Sequence, residues 1–292
     1  MLFFEKIWSK YQKFLEKLVL SVQGSGFVKR GEPETSVSDN DWYIRAVRGF
    51  LKNEARFNRF KRSAVYREVL EHVSYSQAKE YIQVIEQMSP SFLTDERIRL
   101  ASANDLVGNP VVFSFDRYGR ISGPTLRYLK VCAELDSLFN LENVSSIAEI
   151  GGGYGGQALV YNQIFEFDNY LIFDLAPVCE LINKYLNNYF LAGGVEAIEI
   201  NQFPRNAEAF DLVISNYAFS ELPKKLQKIY LDKVLLRARR GYLTMNTGYD
   251  LKGFRRESKI NCSELLEMLP NSRVVEEIPL TAKMNYVIVW GE

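Results

Sequence analysis

The residues best placed to do chemistry begin with Glu149-Ile-Gly-Gly-Gly-Tyr-Gly-Gly156. The apolar run Val144 to Ile150 before them reads as a strand, and Gln157 to Ile164 after them reads as the start of a helix. A strand, a glycine-rich turn and a helix N-terminus gather backbone N–H groups around an open space, which suits an anionic or nucleotide-like ligand. Glycine is expected there because side chains would block the approach of a ligand and because several φ values should be positive. Three further polar groups fall at predicted strand ends. Asp174 closes Asn169-Tyr-Leu-Ile-Phe-Asp174, Asn201 and Gln202 follow Ile198, and Asn216-Tyr217 closes Phe210-Asp-Leu-Val-Ile-Ser-Asn216. Carboxyl ends of strands are where open α/β sheets bind ligands.

The glycine pattern has two registers. Gly151-x-Gly153-x-x-Gly156 satisfies a dinucleotide-binding pattern, and Glu149-x-Gly151-x-Gly153-x-Gly155 satisfies another. An acid at Asp174 can accept both hydroxyls of a ribose, which suits NAD and S-adenosylmethionine alike. Its bland alternative is a helix cap. Candidates for a general base are sparse. His72 is the one histidine in the chain and lies in a helical region. Glu221 sits five residues past Asn216, where partial desolvation would raise its pKa, or where it would simply complement a helix dipole. Tyr217, Asn246 and Tyr249 are polar candidates at strand ends. No paired acids and histidine gather near residues 211–221, so no metal site is expected.

These groups must be held by an alternating scaffold. Strands are predicted at 145–150, 169–174, 195–200, 210–215, 240–246, 273–279 and 284–290, with helices at 155–165, 177–191, 221–238 and 262–269. This alternation argues for a parallel sheet covered by helices. The last two strands are too close for a parallel crossover and should form a hairpin, which reverses one of them. Upstream, apolar residues at helical spacing over 3–22 predict an amphipathic helix that packs on its own domain or a second subunit, with a membrane-surface role as the rival. Gln23 to Asn40 reads as a linker, helical patterns run from about Asp41 to Gln87, a short strand is expected at 111–115, and a helix over 125–139. Arg45, Arg48, Lys52, Arg56, Arg59 and Arg62 recur at spacings of three and four, one basic stripe if the segment is a single helix. It is either a solvated face or a clamp for a phosphate-bearing or acidic substrate, with Arg45 and Arg48 as the candidate contacts.

With those residues in place, the domain resembles the class I S-adenosylmethionine-dependent methyltransferases. Glu149 to Gly155 resembles their first motif, Asp174 the acid of their second strand, Phe210 to Leu222 their fourth motif, and the terminal hairpin their reversed seventh strand. A narrower resemblance, to bacterial sugar O-methyltransferases, is carried by Asn104-Asp-Leu-Val-Gly-Asn-Pro110, Gly123-Pro-Thr-Leu-Arg-Tyr-Leu129, Glu149 to Gly156 and Tyr170 to Leu175. The resemblance implies an α/β fold with a Rossmann-like seven-stranded sheet and a terminal antiparallel hairpin, plus a mostly helical N-terminal region. It implies S-adenosyl-L-methionine as cofactor. Glu149 would orient the loop and meet the methionine amino group. The Gly151, Gly152, Gly153, Tyr154 and Gly155 turn would pack on the cofactor, Asp174 and Leu175 would hold the ribose, and Asn201 or Gln202 would face the adenine. Asn216 and Tyr217 would line the region of the transferred methyl, with Asn246 and Tyr249 near the acceptor.

Residues 1–144 are therefore expected to cap the site and select the acceptor, and residues 145–292 to bind the cofactor. Lys+Arg and Asp+Glu both number 36, so charge offers no argument for a nucleic-acid partner. The three cysteines are odd in number and far apart, which fits a reducing cytoplasm rather than a disulfide framework. No stretch is apolar enough to span a bilayer. The leading expectation is O-methylation of a sugar hydroxyl, on a nucleotide-sugar or a surface polysaccharide. The alternatives are methylation of a small phosphate- or acid-bearing metabolite, an NAD(P)-dependent oxidoreductase, and a non-catalytic binding subunit, with association through the N-terminal helices in any of them.

Overall fold

The computed structural model describes residues 42–204, 209–246, 259–282 and 285–292. The expected helix at 3–22, the linker after it and Tyr249 lie outside the described residues.

Seven strands form one sheet: β3 Ser146–Ile150, β4 Asn169–Phe173, β5 Gly194–Ile198, β6 Phe210–Asn216, β7 Ala238–Met245, β8 Arg273–Glu276 and β9 Tyr286–Trp290, in the order β5-β4-β3-β6-β7-β9-β8. Two earlier strands, β1 Val112–Phe115 and β2 Gly119–Ser122, make a separate antiparallel hairpin. Of these, β1 was expected and β2 was not. In the large sheet β9 runs antiparallel to both β7 and β8, and every other pairing is parallel. The closing hairpin thus reverses the last strand, as the short spacing required. β3 pairs with β4 on one side and β6 on the other. The chain winds outward from β3 to β5 and then resumes on its far side, so the carboxyl ends of β3 and β6 flank the topological switch point.

Alternate residues of β3 feed opposite cores. Ile147 joins a cluster with Leu129, Leu159, Ile182 and Tyr242, whereas Ala148 and Ile150 join Val213, Leu243, Leu265 and Ile288. Ile44, Val47, Phe50, Phe60 and Tyr66 belong to the first cluster. The helical segment from Trp42 is therefore built onto one face of the sheet, sharing its hydrophobic core.

The helical region from Trp42 and the helix expected at 221–238 are each divided. The run from Trp42 divides into Trp42–Lys52, Glu54–Phe57, a 3-10 turn Phe60–Arg62, Ala64–Val69 and Tyr75–Met88. Asn53, Ser63 and Ser74 each accept a backbone N–H three residues on, so each starts a new helix rather than continuing the last. The segment 221–238 divides into Ala218–Glu221, Lys224–Lys233 and a 3-10 turn Leu235–Arg237. Pro223 causes the first break by driving Leu222 to extended geometry (φ −68°, ψ 147°). Helix Asp95–Ala101, capped by Thr94, lacked a strong apolar period and was not anticipated.

Candidate functional site at the switch point

The glycine turn follows β3 directly. Gly151, Gly153 and Gly155 have φ of 80°, 62° and 88°, and Gly155 caps helix Gly156–Ile164 in the left-handed region. The positive φ values are those expected, and crowding adds a second requirement for glycine. A Cβ on Gly151 would lie 2.0 Å from the Ala218 Cβ, and one on Gly152 would lie 2.3 Å from Ile172 Cγ2. At Gly153 it would meet Leu70 Cδ1 at 2.8 Å. The crowding comes from the protein itself. Ala218 follows β6, so the two loops at the switch point touch, and Leu70 brings the helical segment over the turn.

Asp174 sits where it was expected, just past β4. Its Oδ2 accepts the Gly153 N–H (3.1 Å) and its Oδ1 accepts the Leu175 N–H (2.8 Å). Burial raises its pKa to about 6, and the backbone N–H bonds oppose the rise. Each carboxylate oxygen keeps a further lone pair for another donor. Tyr43 and Tyr66, whose hydroxyls are 3.3 Å apart, both feel the Asp174 charge. Leu175 contributes its backbone and caps helix Ala176–Leu186. Asn201 and Gln202 are exposed beyond β5, with the Gln202 side chain accepting the Glu199 N–H.

Two residues of the Glu149-to-Gly156 segment that were expected at the cofactor have buried side chains. Glu149 is 2% exposed and its carboxyl accepts the Tyr170 hydroxyl at 3.0 Å, inside the sheet–helix interface. The alternation of β3 puts Glu149 on the same face as Ile147. Burial lifts its pKa to about 8, against the Tyr170 hydrogen bond. The folded chain therefore holds this proton where the unfolded chain (pKa about 4.3) has lost it, and stability falls as pH rises through that window. Glu149→Gln keeps an acceptor for Tyr170 and removes the titration. The variant's stability relative to wild type should increase between about pH 5 and pH 8, measured by urea unfolding at both. Equal differences at the two pH values would refute a buried titrating Glu149.

Tyr154 is the second of them. Its ring is fully buried at 0% exposure, stacked edge-on against Phe60, Tyr128 and Tyr185 with Lys61 Nζ 4.3 Å above it. Only its backbone belongs to the turn. The Asn104-to-Pro110 stretch proves to be the support for this ring. Asn104 Nδ2 donates to Thr125 Oγ1 (2.8 Å) and Tyr154 Oη (3.3 Å), and the Asn104 carbonyl accepts Lys61 Nζ (2.5 Å) and Tyr185 Oη (3.0 Å). Asp105 accepts the backbone and hydroxyl of Ser122 and the hydroxyl of Thr125, tying β2 to the start of helix Gly123–Leu138. Burial lowers the Lys61 pKa to about 8, and Glu71 and Asp105 oppose this.

Beyond β6, Tyr217 adopts φ 68°, a left-handed conformation uncommon for a bulky residue and frequent where geometry serves a site. Its hydroxyl donates to Glu277 and is 2.9 Å from Thr281 Oγ1, and Glu277 is 3% exposed. This bond pins the fourth-motif turn to the segment between β8 and β9. Tyr217→Phe should lower the unfolding free energy by about 1–3 kcal/mol, because a buried carboxylate loses a donor. Denaturant titration measures this, and an unchanged midpoint would remove the bond's role. Asn216 Nδ2 reaches Gln157 Oε1 at 3.4 Å.

Glu221 is the last residue of the one-turn helix Ala218–Glu221 and the acid of that turn. Asn246 Nδ2 approaches its Oε1 at 3.4 Å, which brings two separately predicted residues together. Burial raises the Glu221 pKa, with Lys259 opposing. His72 follows Leu70 and is half-buried, and burial first, then Arg127, lowers its pKa to about 4. Arg127, not among the expected site residues, reaches the Leu70 carbonyl from helix Gly123–Leu138, and the Leu70 side chain packs over Gly153.

The basic stripe is not one helical face. Arg45 and Arg48 lie on helix Trp42–Lys52 opposite the buried Ile44, Val47 and Phe50, and both are exposed. They do not reach Asp174 or the turn. Arg59 and Arg62 spend donors on the carbonyls of Ala55, Asn109 and Pro110. Among the described residues, no group of three or more His, Cys, Asp or Glu could hold a metal ion, and no helix is long and apolar enough to cross a membrane.

No family model and no curated protein matches this chain. Solved structures do show similarity. Magnesium protoporphyrin IX methyltransferase from Synechocystis PCC 6803 with bound SAM is 13% identical, with a TM-score of 0.42, covering 56% of this chain and 76% of that one. The N-methyltransferase NodS from Bradyrhizobium japonicum is 14% identical, with a TM-score of 0.40, covering 56% of this chain and 91% of that one. These overlaps are partial, and the fold assignment rests on the strand order described above.

Proposed function

We propose that this chain is an S-adenosylmethionine-dependent O-methyltransferase. One observation carries the reading: a half-buried acid after β4, held by the N–H groups of a left-handed glycine turn, at the switch point of a sheet whose last strand is reversed. The residues fit the cofactor. Asp174 has spare acceptor capacity for a ribose diol, and the Gly151 to Gly155 turn would pack on the nucleoside. The cofactor would supply an activated methyl group, and the protein would supply orientation and exclusion of water.

The acceptor is a hydroxyl of a sugar, on the strength of the resemblance of residues 104–110 and 123–129, or of a small acid-bearing metabolite. A hydroxyl needs a general base, and the ideal pKa lies near the working pH. Glu221 moves toward that range through burial, whereas His72 moves away from it. Glu221 is therefore the preferred base, with Asn246 orienting its carboxyl. Calorimetry with S-adenosylhomocysteine, S-adenosylmethionine and NAD tests the cofactor. The sulfur ligands should bind and NAD should not. Binding of NAD alone, or of none of the three, would overturn the proposal.

A further inference from the structure

Helix Gly123–Leu138 is buried on nearly every side, and between Gly123 and Leu135 only Arg127 and Glu134 extend beyond the core. Glu134 is satisfied by Lys130 Nζ at 2.6 Å and by the Tyr242 hydroxyl. Arg127 is different. Its guanidinium carries five donors, and few of them are engaged: Nη2 reaches the Leu70 carbonyl at a long 3.4 Å, and the guanidinium bonds the side chain of Tyr128, whose ring centre lies 5.5 Å away. No described acid stands within ion-pair distance of it. Glu71, whose buried carboxyl feels the guanidinium's charge, has one oxygen without a hydrogen-bond partner but does not close on it. A partly desolvated cation left in this state is costly unless a ligand completes it.

Its surroundings locate it over the switch point. Leu70, whose carbonyl it touches, lies on Gly153, and the ring of Tyr128 lies on Gly156. His72 and Tyr217, the latter just past β6, both couple to its charge. We propose that Arg127 is the fork that holds a carboxylate or phosphate group in this site. A planar guanidinium matches such oxygens in pairs, which an ammonium does not. Resting on the methyltransferase reading, the inference leaves two sources for the anion: the amino-acid end of the cofactor, or an acidic group on the acceptor.

Calorimetry on the full chain and on Arg127→Ala and Arg127→Lys, each checked for folding by thermal melting, separates these. The probes are S-adenosylhomocysteine, 5′-methylthioadenosine (which lacks the amino-acid end) and inorganic pyrophosphate. If the cofactor supplies the anion, Arg127→Ala weakens S-adenosylhomocysteine at least about ten-fold and leaves methylthioadenosine unchanged. If the acceptor supplies it, both nucleosides bind as in wild type, and pyrophosphate binding to the S-adenosylhomocysteine complex is lost. Arg127→Lys should recover only part of either effect, and it decides the matter should the alanine variant fail to fold. Unchanged affinities for all three probes in both variants would overturn the inference. Failure of wild type to bind either nucleoside would instead overturn the methyltransferase reading, and pyrophosphate binding to the free protein would still decide whether Arg127 holds anions.

Discussion

Gly151→Val should eliminate cofactor binding and destabilise the fold by about 2–5 kcal/mol. Two independent costs add. A β-branched residue at φ 80° carries left-handed strain of roughly 1–2 kcal/mol. Its Cβ would also stand 2.0 Å from that of Ala218, an overpacking of about 1–3 kcal/mol. Relief requires the turn after β3 to part from the turn after β6, and Tyr217 and Asn216 would move with it. The hydroxyl bond from Tyr217 to Glu277 resists that movement. The loss should therefore appear both as a lower unfolding midpoint and as absent heat of binding for S-adenosylhomocysteine. A cycle isolates the contact: Gly151→Ala combined with Ala218→Gly should recover the steric share and leave the backbone strain. If Gly151→Val melts with the wild type and binds normally, the close approach of the two turns is wrong.

The affinity for S-adenosylhomocysteine should rise with pH until about 6 and then level. Burial holds the free Asp174 carboxyl near that value, with the turn's N–H groups pulling it down. A ribose diol donates two hydrogen bonds and favours the ionised acid, so binding below the midpoint must release a proton. The slope is at most ten-fold per pH unit, in the direction of tighter binding at higher pH. In the free protein the sign is opposite: the folded acid holds its proton more tightly than the unfolded one, whose pKa is about 3.9, so this group costs stability as pH rises through that range. Asp174→Asn should give a flat profile. Asp174→Ala should lose about 1–3 kcal/mol of binding free energy through the ribose and also strand the N–H groups of Gly153 and Leu175. Calorimetry in buffers of differing ionisation enthalpy counts the proton directly, and no proton uptake or release around pH 6 would exclude Asp174 as the ribose acceptor.

Much of this site was legible because its residues sit at ends of elements with strong periodic signals. β3, β4 and β6 are apolar runs that stop at Ile150, Phe173 and Asn216, so the residues following them had to cluster at one edge of a parallel sheet. The reversed β9 followed from the few residues separating it from β8. Breaks in the helical region were also written locally, in Asn53, Ser63, Ser74 and Pro223, but helical periodicity runs through such residues and hides them.

Direction was the harder part. Whether Glu149 faces a ligand or Tyr170 depends on which side of the sheet its strand position presents, and on a tyrosine one strand away. Tyr154 stands amid glycines that form the turn, yet its ring belongs to a buried aromatic cluster with Lys61. The Asn104-to-Pro110 stretch carried a family resemblance, and its side chains turn out to brace that cluster. Arg127 shares its helix with Lys130, Glu134 and Asp136, and only the burial of that helix sets it apart.

The order of residue types along the chain determined the alternation of strands and helices, the left-handed glycine turn, the acid that follows the next strand and the closing hairpin. All of these are set by contacts within a few residues or by the length of chain between neighbours. Tertiary structure decided which of those groups face a ligand. Packing the helical segment on the sheet seats Leu70 on Gly153, brings tyrosines within reach of the Asp174 charge and offers the Leu70 carbonyl to Arg127. Burial and charge at a point in space sum over residues distant in sequence, and no local pattern encodes that sum.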